Sequence, residues 1–306
     1  MERVNAAAVG MFDGVHLGHL DILDAVGREA ARTGGKPVVL TFRNHPLSLL
    51  RPQDAPPLLT DAAEKEALIR ARLPEATVGM LDFGELRGLP AGDFLKRLRD
   101  EAGVATMVMG YDNRFGCDGP RDRAAYDALG ARAGMDVVHV APRPVDGVTA
   151  SSSRVRELIA AGSVDRAAAM LGRPYSLRGT VVHGRHLGHT LGFPTANVEP
   201  APGRQLPARG VYAAWALLPG EPAQRVPAMV NVGVRPTVDT SPHPALSIEA
   251  HLPGFHGDLY GCSLELQLVQ RLRGERRFES REALVRQLAI DRHDTLEILS
   301  ANSPSI

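Results

Sequence analysis

Two glycine-rich strings in this sequence carry residue types suited to phosphate chemistry. The first, Gly10-Met11-Phe12-Asp13-Gly14-Val15-His16-Leu17-Gly18-His19, follows a short apolar run and opens a stretch of helical periodicity. Unpaired N–H groups and the helix dipole make such a junction an anion site, and glycine lets a phosphate approach the backbone. His16 and His19, three apart, share one face of the helix start, so both imidazoles can point at the same phosphate oxygens and stabilise charge growing there. Taken alone, the string equally suits a plain turn with two exposed histidines. A zinc site is the weaker reading, because two histidines lack further ligands. Farther on, Ser151-Ser152-Ser153-Arg154-Val155-Arg156 sets hydroxyls and Arg156 at a helix start. That suits the terminal phosphates of a nucleoside triphosphate, or a simple serine cap beside a solvated arginine.

The second string runs from Gly179 to Asn197. A P-loop is excluded, since Gly35-Lys36 runs into Pro37 and no other Gly-Lys-Ser/Thr motif occurs. Phosphate must then be held by another glycine-rich turn, which Gly184, Gly188 and Gly192 provide. Thr195 and Asn197, one residue apart, project to one face of an extended segment, where two neutral oxygens suit a magnesium ion carried by ATP. Glu249 lies mid-strand on the face opposite Ile248 and Ala250, a carboxylate that could accept a proton from a substrate hydroxyl. Its plain alternative is a solvated strand residue, and that of the glycine-rich string is an ordinary hairpin.

These residues need two scaffolds. Between Ala6 and Ala141, the apolar runs Ala6 to Val9, Pro37 to Phe42, Thr77 to Leu81, Thr106 to Met109 and Val137 to Ala141 alternate with helical spacings such as Leu20, Leu23, Val26, Ala30 and Phe94, Leu95, Leu98. That pattern predicts a parallel sheet with crossover helices. Ser151 to Gly172 reads as helix, gap, helix, and Arg173-Pro174 marks a boundary. Beyond it, Val211 to Leu218, Val226 to Val232, Leu246 to Leu252 and Leu264 to Leu268 give strands of an antiparallel sheet or barrel, and Ser280 caps a final helix from Arg281 to about Leu299. The predicted domains are 1–172 and 173–306, consistent with 306 residues and a prior of about 150 per domain. With 35 Lys+Arg against 35 Asp+Glu, no partner held by counterion release is expected. Cys117 and Cys262 form no CxxC. Met1 to Gly14 has no leader pattern, and no apolar run approaches the roughly 18 residues of a membrane span. The expectation is a soluble, unprocessed, cytoplasmic protein.

Gly10 to His19 resembles the GxFDGxHxGH signature of the bacterial bifunctional riboflavin kinase/FAD synthetase family. Thr41-Phe42-Arg43-Asn44-His45-Pro46 resembles its TFxPHP, Gly110 to Gly116 its GxDFRFG, and Ser151 to Arg156 its SSTxIR. Gly179 to Asn197 is similar to the family's flap and GFPTAN. Pro207 to Tyr212, Asn231 to Thr237, Leu246 to Leu252, Gly257 to Gly261 and Leu272 to Phe278 match the kinase half in order. The departures are Arg43, Asn44, Asn113, Ser153 and His189, which stand where an acidic residue, Pro, an aromatic, Thr and Arg are usual.

The resemblance implies a Rossmann-like nucleotidyltransferase α/β domain followed by a small antiparallel riboflavin kinase-like β-barrel with a closing helix. It implies ATP contacts at Gly10, Phe12, Asp13, Gly14, His16, His19, Asp112, Ser152, Ser153 and Arg156, with His16, His19 and Arg156 catalytic. FMN contacts fall at His45, Pro46, Arg114 and Phe115. In the kinase it implies ATP at Gly184, Gly188, Gly192, Pro194 and Thr195, Mg²⁺ at Thr195 and Asn197, base catalysis by Glu249, and flavin at Arg273 and Phe278. Expected partners are ATP, riboflavin and FMN, with no nucleic acid and no membrane, in a monomer or weak self-associate. Three alternatives stay open: a kinase whose altered N-terminal module leaves FMN as end product, a module using another nucleotide or a modified flavin, and a flavin or nucleotide sensor without turnover.

Overall fold

The computed structural model describes residues 4–120, 122–184, 188, 191–220, 224–234 and 246–302. By contacts the chain divides into two compact units, Met1–Ser152 and Ser153–Ile306.

The first unit is a parallel sheet of β1 (Asn5–Val9), β2 (Pro37–Phe42), β3 (Thr77–Leu81), β4 (Val104–Met109) and β5 (Asp136–His139), in the order β3-β2-β1-β4-β5. Strand order reverses between β1 and β4, so loops leaving their carboxyl ends diverge and open a crevice there. The small residues of β1 feed two cores alternately. Ala6 and Ala8 pack with Leu23 and Val26 of α1 (Leu17–Thr33) and Ile69 of α3 (Ala62–Arg72), the latter preceded by short α2 (Pro46–Leu50). Ala7 and Val9 pack with Phe94, Leu95 and Leu98 of α5 (Ala91–Ala102), which follows the one-turn α4 (Phe83–Leu86), and with Tyr126 of α6 (Arg123–Ala133). Residue alternation in a strand thus puts helices on both faces. Helix α1 stops at Gly34, whose φ of 72° is left-handed. At Gly35 any Cβ would lie 1.9 Å from the Val4 carbonyl oxygen, so the return into β2 requires glycine. A two-residue hairpin, β6 (Pro144–Val145) and β7 (Val148–Thr149), precedes the second unit.

The second unit takes all of α7 (Ser152–Ala160) after its first residue, and α8 (Val164–Leu171), which packs on the barrel strands, so the contact division falls at the start of α7 and not at Gly172. The strands are β8 (Tyr175–Val182), β9 (Thr195–Pro200), β10 (Gly210–Leu217), β11 (Arg225–Val234), β12 (Leu246–His251) and β13 (Ser263–Arg273). They close a wholly antiparallel barrel, β10-β11-β12-β9-β8-β13, the last pairing with β10. Leu177, Tyr212, Val230, Ile248, Ala250, Leu264 and Leu266 fill it as the buried alternates of their strands. Outside, Val211 and Met229 are covered by Val285 and Leu288 of the closing helix, Arg281–Ala301. Ser280 caps that helix, accepting the Ala283 N–H as its sequence position predicts.

One ion pair fastens the closing helix to β13. Arg273 Nε donates to both Asp291 oxygens at 3.0 Å and Nη2 donates to Oδ2 at 2.6 Å, while Gln287 Nε2 donates to Oδ1 at 2.7 Å. The Asp291 side chain is 2% exposed, so removing it strands a guanidinium in a poorly solvated position. Asp291→Ala is expected to lower the unfolding free energy of this unit by about 3 kcal/mol. The measurement is the urea midpoint followed at Trp215, and an unchanged midpoint would show that the pair does not anchor the helix.

Candidate active sites

The first site lies at the carboxyl ends of β1 and β2. The chain leaves β1 through a turn in which Phe12 (φ 48°), Gly14 (φ 79°) and Val15 (φ 40°) are all left-handed, a costly state for the branched Val15. Asp13 holds it there. Its carboxylate, 1% exposed, accepts the Leu59 N–H at 3.0 and 3.1 Å, the Thr60 N–H at 3.0 Å and the Thr60 hydroxyl at 3.2 Å. The Thr60 oxygen in turn accepts the Gly14 N–H at 3.0 Å. The turn delivers His16 to the N-cap of α1, where its side chain makes no capping bond and no acidic residue occupies the first turn. The positive end of α1 thus favours an anion.

His16 and His19 come together as the spacing predicts, with rings stacked at 3.7 Å and 21°, and Phe12 lies 5.1 Å from His19. Burial first, then the neighbouring charges of His16 and Lys65, hold His19 well below the usual imidazole range. Its Nδ1 is buried without a hydrogen-bond partner among the described residues. Lys65 was not singled out in the sequence, yet it is 1% exposed and donates to the Met11 carbonyl at 3.0 Å and the Phe42 carbonyl at 2.6 Å. Burial lowers it to about 8, opposed by Asp13 and Asp61. The available signal was its place four residues before Ile69, on the buried face of α3.

The other residues expected at this site are placed as follows. Ser152 donates its hydroxyl to the Asp13 carbonyl at 2.9 Å. Asn113, where the family has an aromatic, donates to the Val9 carbonyl at 2.5 Å and so ties its loop to the end of β1. Asp112 and Arg114 on that loop are exposed. Phe115 packs inward against Phe94 and Tyr126 at 5.3 and 4.8 Å, and the Tyr126 hydroxyl bonds both its N–H and its carbonyl at 2.8 Å. His45 caps α2, its Nδ1 accepting the Leu47 N–H at 3.2 Å with Pro46 in the first turn, while Arg43 and Asn44 are exposed. Ser153, exposed, and Arg156, half-buried, lie on α7 in the second unit.

The second site is on the outer wall of the barrel. Register places Glu249 of β12 directly between Asn197 of β9 and Asn231 of β11, and pairs Thr195 with His251. Residues directly opposite in antiparallel strands share a face with Cβ atoms about 5 Å apart. Glu249, Asn197 and Asn231 are half-buried in one row, whereas Ile248 and Ala250 beside Glu249 point into the barrel. The glycines of the flap press on this row. A Cβ at Gly184 would lie 2.1 Å from Asn197 Nδ2, and one at Gly188 would lie 2.4 Å from the Phe193 carbonyl oxygen and 3.2 Å from Thr195 Oγ1. Gly192 is left-handed, with φ 80°. His189, and residues 235–237 of the Asn231 block, lie outside the described residues.

His251, within Leu246 to Leu252, and Asn231, which opens Asn231 to Thr237, carry no role that the sequence alone suggests. His251 Nδ1 is 2.9 Å from the Pro194 carbonyl, which can only accept, so Nδ1 carries the proton. Burial chiefly, with Arg292 adding, holds His251 below its usual range. A neutral His251 thus pins Pro194 next to Thr195. Arg273 and Phe278 do lie together, the guanidinium 5.7 Å from the ring, but the Arg273 fork faces Asp291 and Arg276 sits closer to that ring at 4.7 Å. Among the described residues no group of three or more His, Cys, Asp or Glu side chains is arranged to hold a metal. Thr195 and Asn197 instead offer neutral oxygens under a glycine cover, a donor set that suits a cation arriving with its own phosphates.

An FAD synthetase model matches residues 1–154 and a riboflavin kinase model matches residues 171–299, leaving most of α7 and α8 between them. The bifunctional riboflavin kinase/FMN adenylyltransferase of Pseudomonas fluorescens is 38% identical over 91% of this chain and 88% of its own length. That of Escherichia coli K12 is 32% identical over 97% of this chain and 93% of its own. A crystal structure described as a macrolide-efflux protein from Streptococcus pneumoniae superposes with a TM-score of 0.87 at 29% identity, covering 97% of this chain and 95% of that one. No described helix of this chain is long and apolar enough to cross a membrane. On both family models and on full-length likeness, the chain belongs to the bifunctional riboflavin kinase/FMN adenylyltransferase family.

Proposed function

We propose that this chain phosphorylates riboflavin to FMN with its barrel half and couples FMN to AMP with its parallel-sheet half, the modules being 1–172 and 173–306. The observation that carries the kinase reading is the Asn197–Glu249–Asn231 row beneath Gly184. Glu249 takes the proton of the ribityl hydroxyl as the new oxygen–phosphorus bond forms and the γ-phosphoryl group leaves ADP. Gly184, Gly188, Gly192 and Pro194 cover the ATP phosphates. The divalent ion that ATP-using enzymes of this kind generally need is Mg²⁺, bound by Thr195 and Asn197, and it offsets phosphate charge when bound. Arg273 acts by setting the loop that presents Phe278 to the flavin, because its fork is engaged by Asp291.

In the first module the FMN phosphate attacks the α-phosphorus of ATP in line and pyrophosphate leaves. His16, His19 and the open end of α1 stabilise charge on the phosphates, and Ser152, Ser153 and Arg156 receive the pyrophosphate. Gly10, Phe12, Gly14 and Asp112 contact the nucleotide while Asp13 holds the turn. His45, Pro46 and Arg114 meet FMN, with Phe115 fixing the Arg114 loop from the core. Two free cysteines, one exposed, suit a cytoplasmic setting, and the chain acts as a monomer or weak self-associate.

Purified protein incubated with riboflavin, Mg²⁺ and each nucleoside triphosphate should yield FMN and then FAD, with ATP alone, on flavin chromatography. Unchanged riboflavin would refute the kinase assignment, and FMN without FAD, or a non-adenine dinucleotide, would refute the second half. Glu249→Gln should still bind riboflavin yet lose about 10²- to 10⁴-fold in FMN formation, with FAD formation from supplied FMN retained. His19→Ala should do the reverse, cutting FAD formation by about 10²-fold or more while FMN formation continues. Equal losses in both reactions would argue against two separate centres.

A further inference from the structure

Helix α3 sends to the first site a residue whose chemistry normally belongs in solvent. The capping box of Asp61 and Glu64 starts the helix so that Lys65 turns inward in its first turn. There its ammonium bridges the Met11 and Phe42 carbonyls, which belong to segments leaving two adjacent strands, and the Thr41 hydroxyl also donates to Met11 O at 3.0 Å. The charged groups facing Lys65 are Asp13 from the turn, Asp61 from its own cap and His19 from α1. Asp13 already accepts from Leu59 and Thr60, so it offsets the lysine charge from a distance. A neutral amine would still donate to both carbonyls, though less strongly. The charge also adds positive potential felt at His19, where burial leaves it weakly screened.

We propose that Lys65 is a positioning residue of the nucleotidyl-transfer site: it ties the ends of β1 and β2 at the Phe12–Val15 turn, and its buried charge, felt also at His19, adds to the pull on a polyphosphate it does not touch. The substrate part of this rests on the adenylyltransferase reading; the effect on His19 does not.

The test uses the full chain and its Lys65→Met and Lys65→Arg variants. Histidine-labelled protein is titrated by NMR without ligand. The His19 midpoint should move up by about half a unit or more in Lys65→Met and stay near the wild-type value in Lys65→Arg. With ATP and FMN supplied, Lys65→Met should raise the KM for ATP about tenfold with a smaller fall in kcat, while FMN formation from riboflavin reports that the chain is intact. A well-folded Lys65→Met with an unmoved His19 midpoint and unchanged FAD kinetics overturns the proposal. Should Lys65→Met not fold, the comparison passes to pH. Wild-type FAD formation should decline as pH rises through about 8, where Lys65 loses its proton, and Lys65→Arg should not decline there. Superimposable profiles overturn the proposal. If wild-type protein makes no FAD at all, the adenylyltransferase reading fails, and the His19 titration still decides the electrostatic role of Lys65.

Discussion

A slip of one residue between β12 and its neighbours would turn Glu249 into the apolar barrel and drive Ile248 out to the wall. The kinase half depends on that register, and three features set it. Ile248 and Ala250 are held by burial beside Val198, Val230 and Val232. His251, neutral and bonded to the Pro194 carbonyl, fixes the level of β9 at Thr195. The barrel is closed, so a shift in one strand has to be absorbed around the whole ring. The Asn197–Glu249–Asn231 row is thus a by-product of packing the opposite face.

The parallel-sheet half meets the same demand by electrostatics. Its turn contains two left-handed non-glycine residues, and backbone preference alone would relax them. Asp13 and Lys65 prevent this from opposite sides, the carboxylate collecting N–H groups from the Leu59–Thr60 strip and the ammonium collecting carbonyls from the β1 and β2 ends. The two buried charges partly offset each other while each is satisfied mainly by backbone. Departures from the family pattern fit this frame. Asn113 exchanges a ring for an amide that bonds Val9, and Arg43 and Asn44 stand in solvent, so none of them disturbs the turn.

Much of the scaffold was legible in the sequence. The runs Pro37 to Phe42 and Thr77 to Leu81 are β2 and β3 to the residue, because strands covered on both faces are continuously apolar. Strand order was not legible, since such strands have no distinctive neighbours. β8 escaped notice because Gly179 interrupts its alternation, and that glycine is there to let the Glu199 carbonyl approach, a Cβ falling 2.4 Å from it. Helices α3 and α6 bury few large apolar residues, and of the two buried residues of α3 one is a lysine. At the candidate sites, the shared face of His16 with His19 and of Thr195 with Asn197 could be read from spacing, while the roles expected of them came from the family resemblance. What spacing could not supply was the partner: Asp291 for Arg273, Tyr126 for Phe115, Thr60 for Asp13 and Asn231 for Glu249 are all brought in by tertiary structure.

Barrel closure also has a consequence for synthesis. β8, the earliest strand of the ring, takes β9 on one side and β13 on the other, and β13 also pairs with β10. As the chain emerges from a ribosome, β8 and β10 each keep a bare edge through every intermediate length until Arg273 has appeared. The β1–β5 sheet by then has all its strands. The second half is consequently the one whose strand edges stay open to mispairing longest during translation.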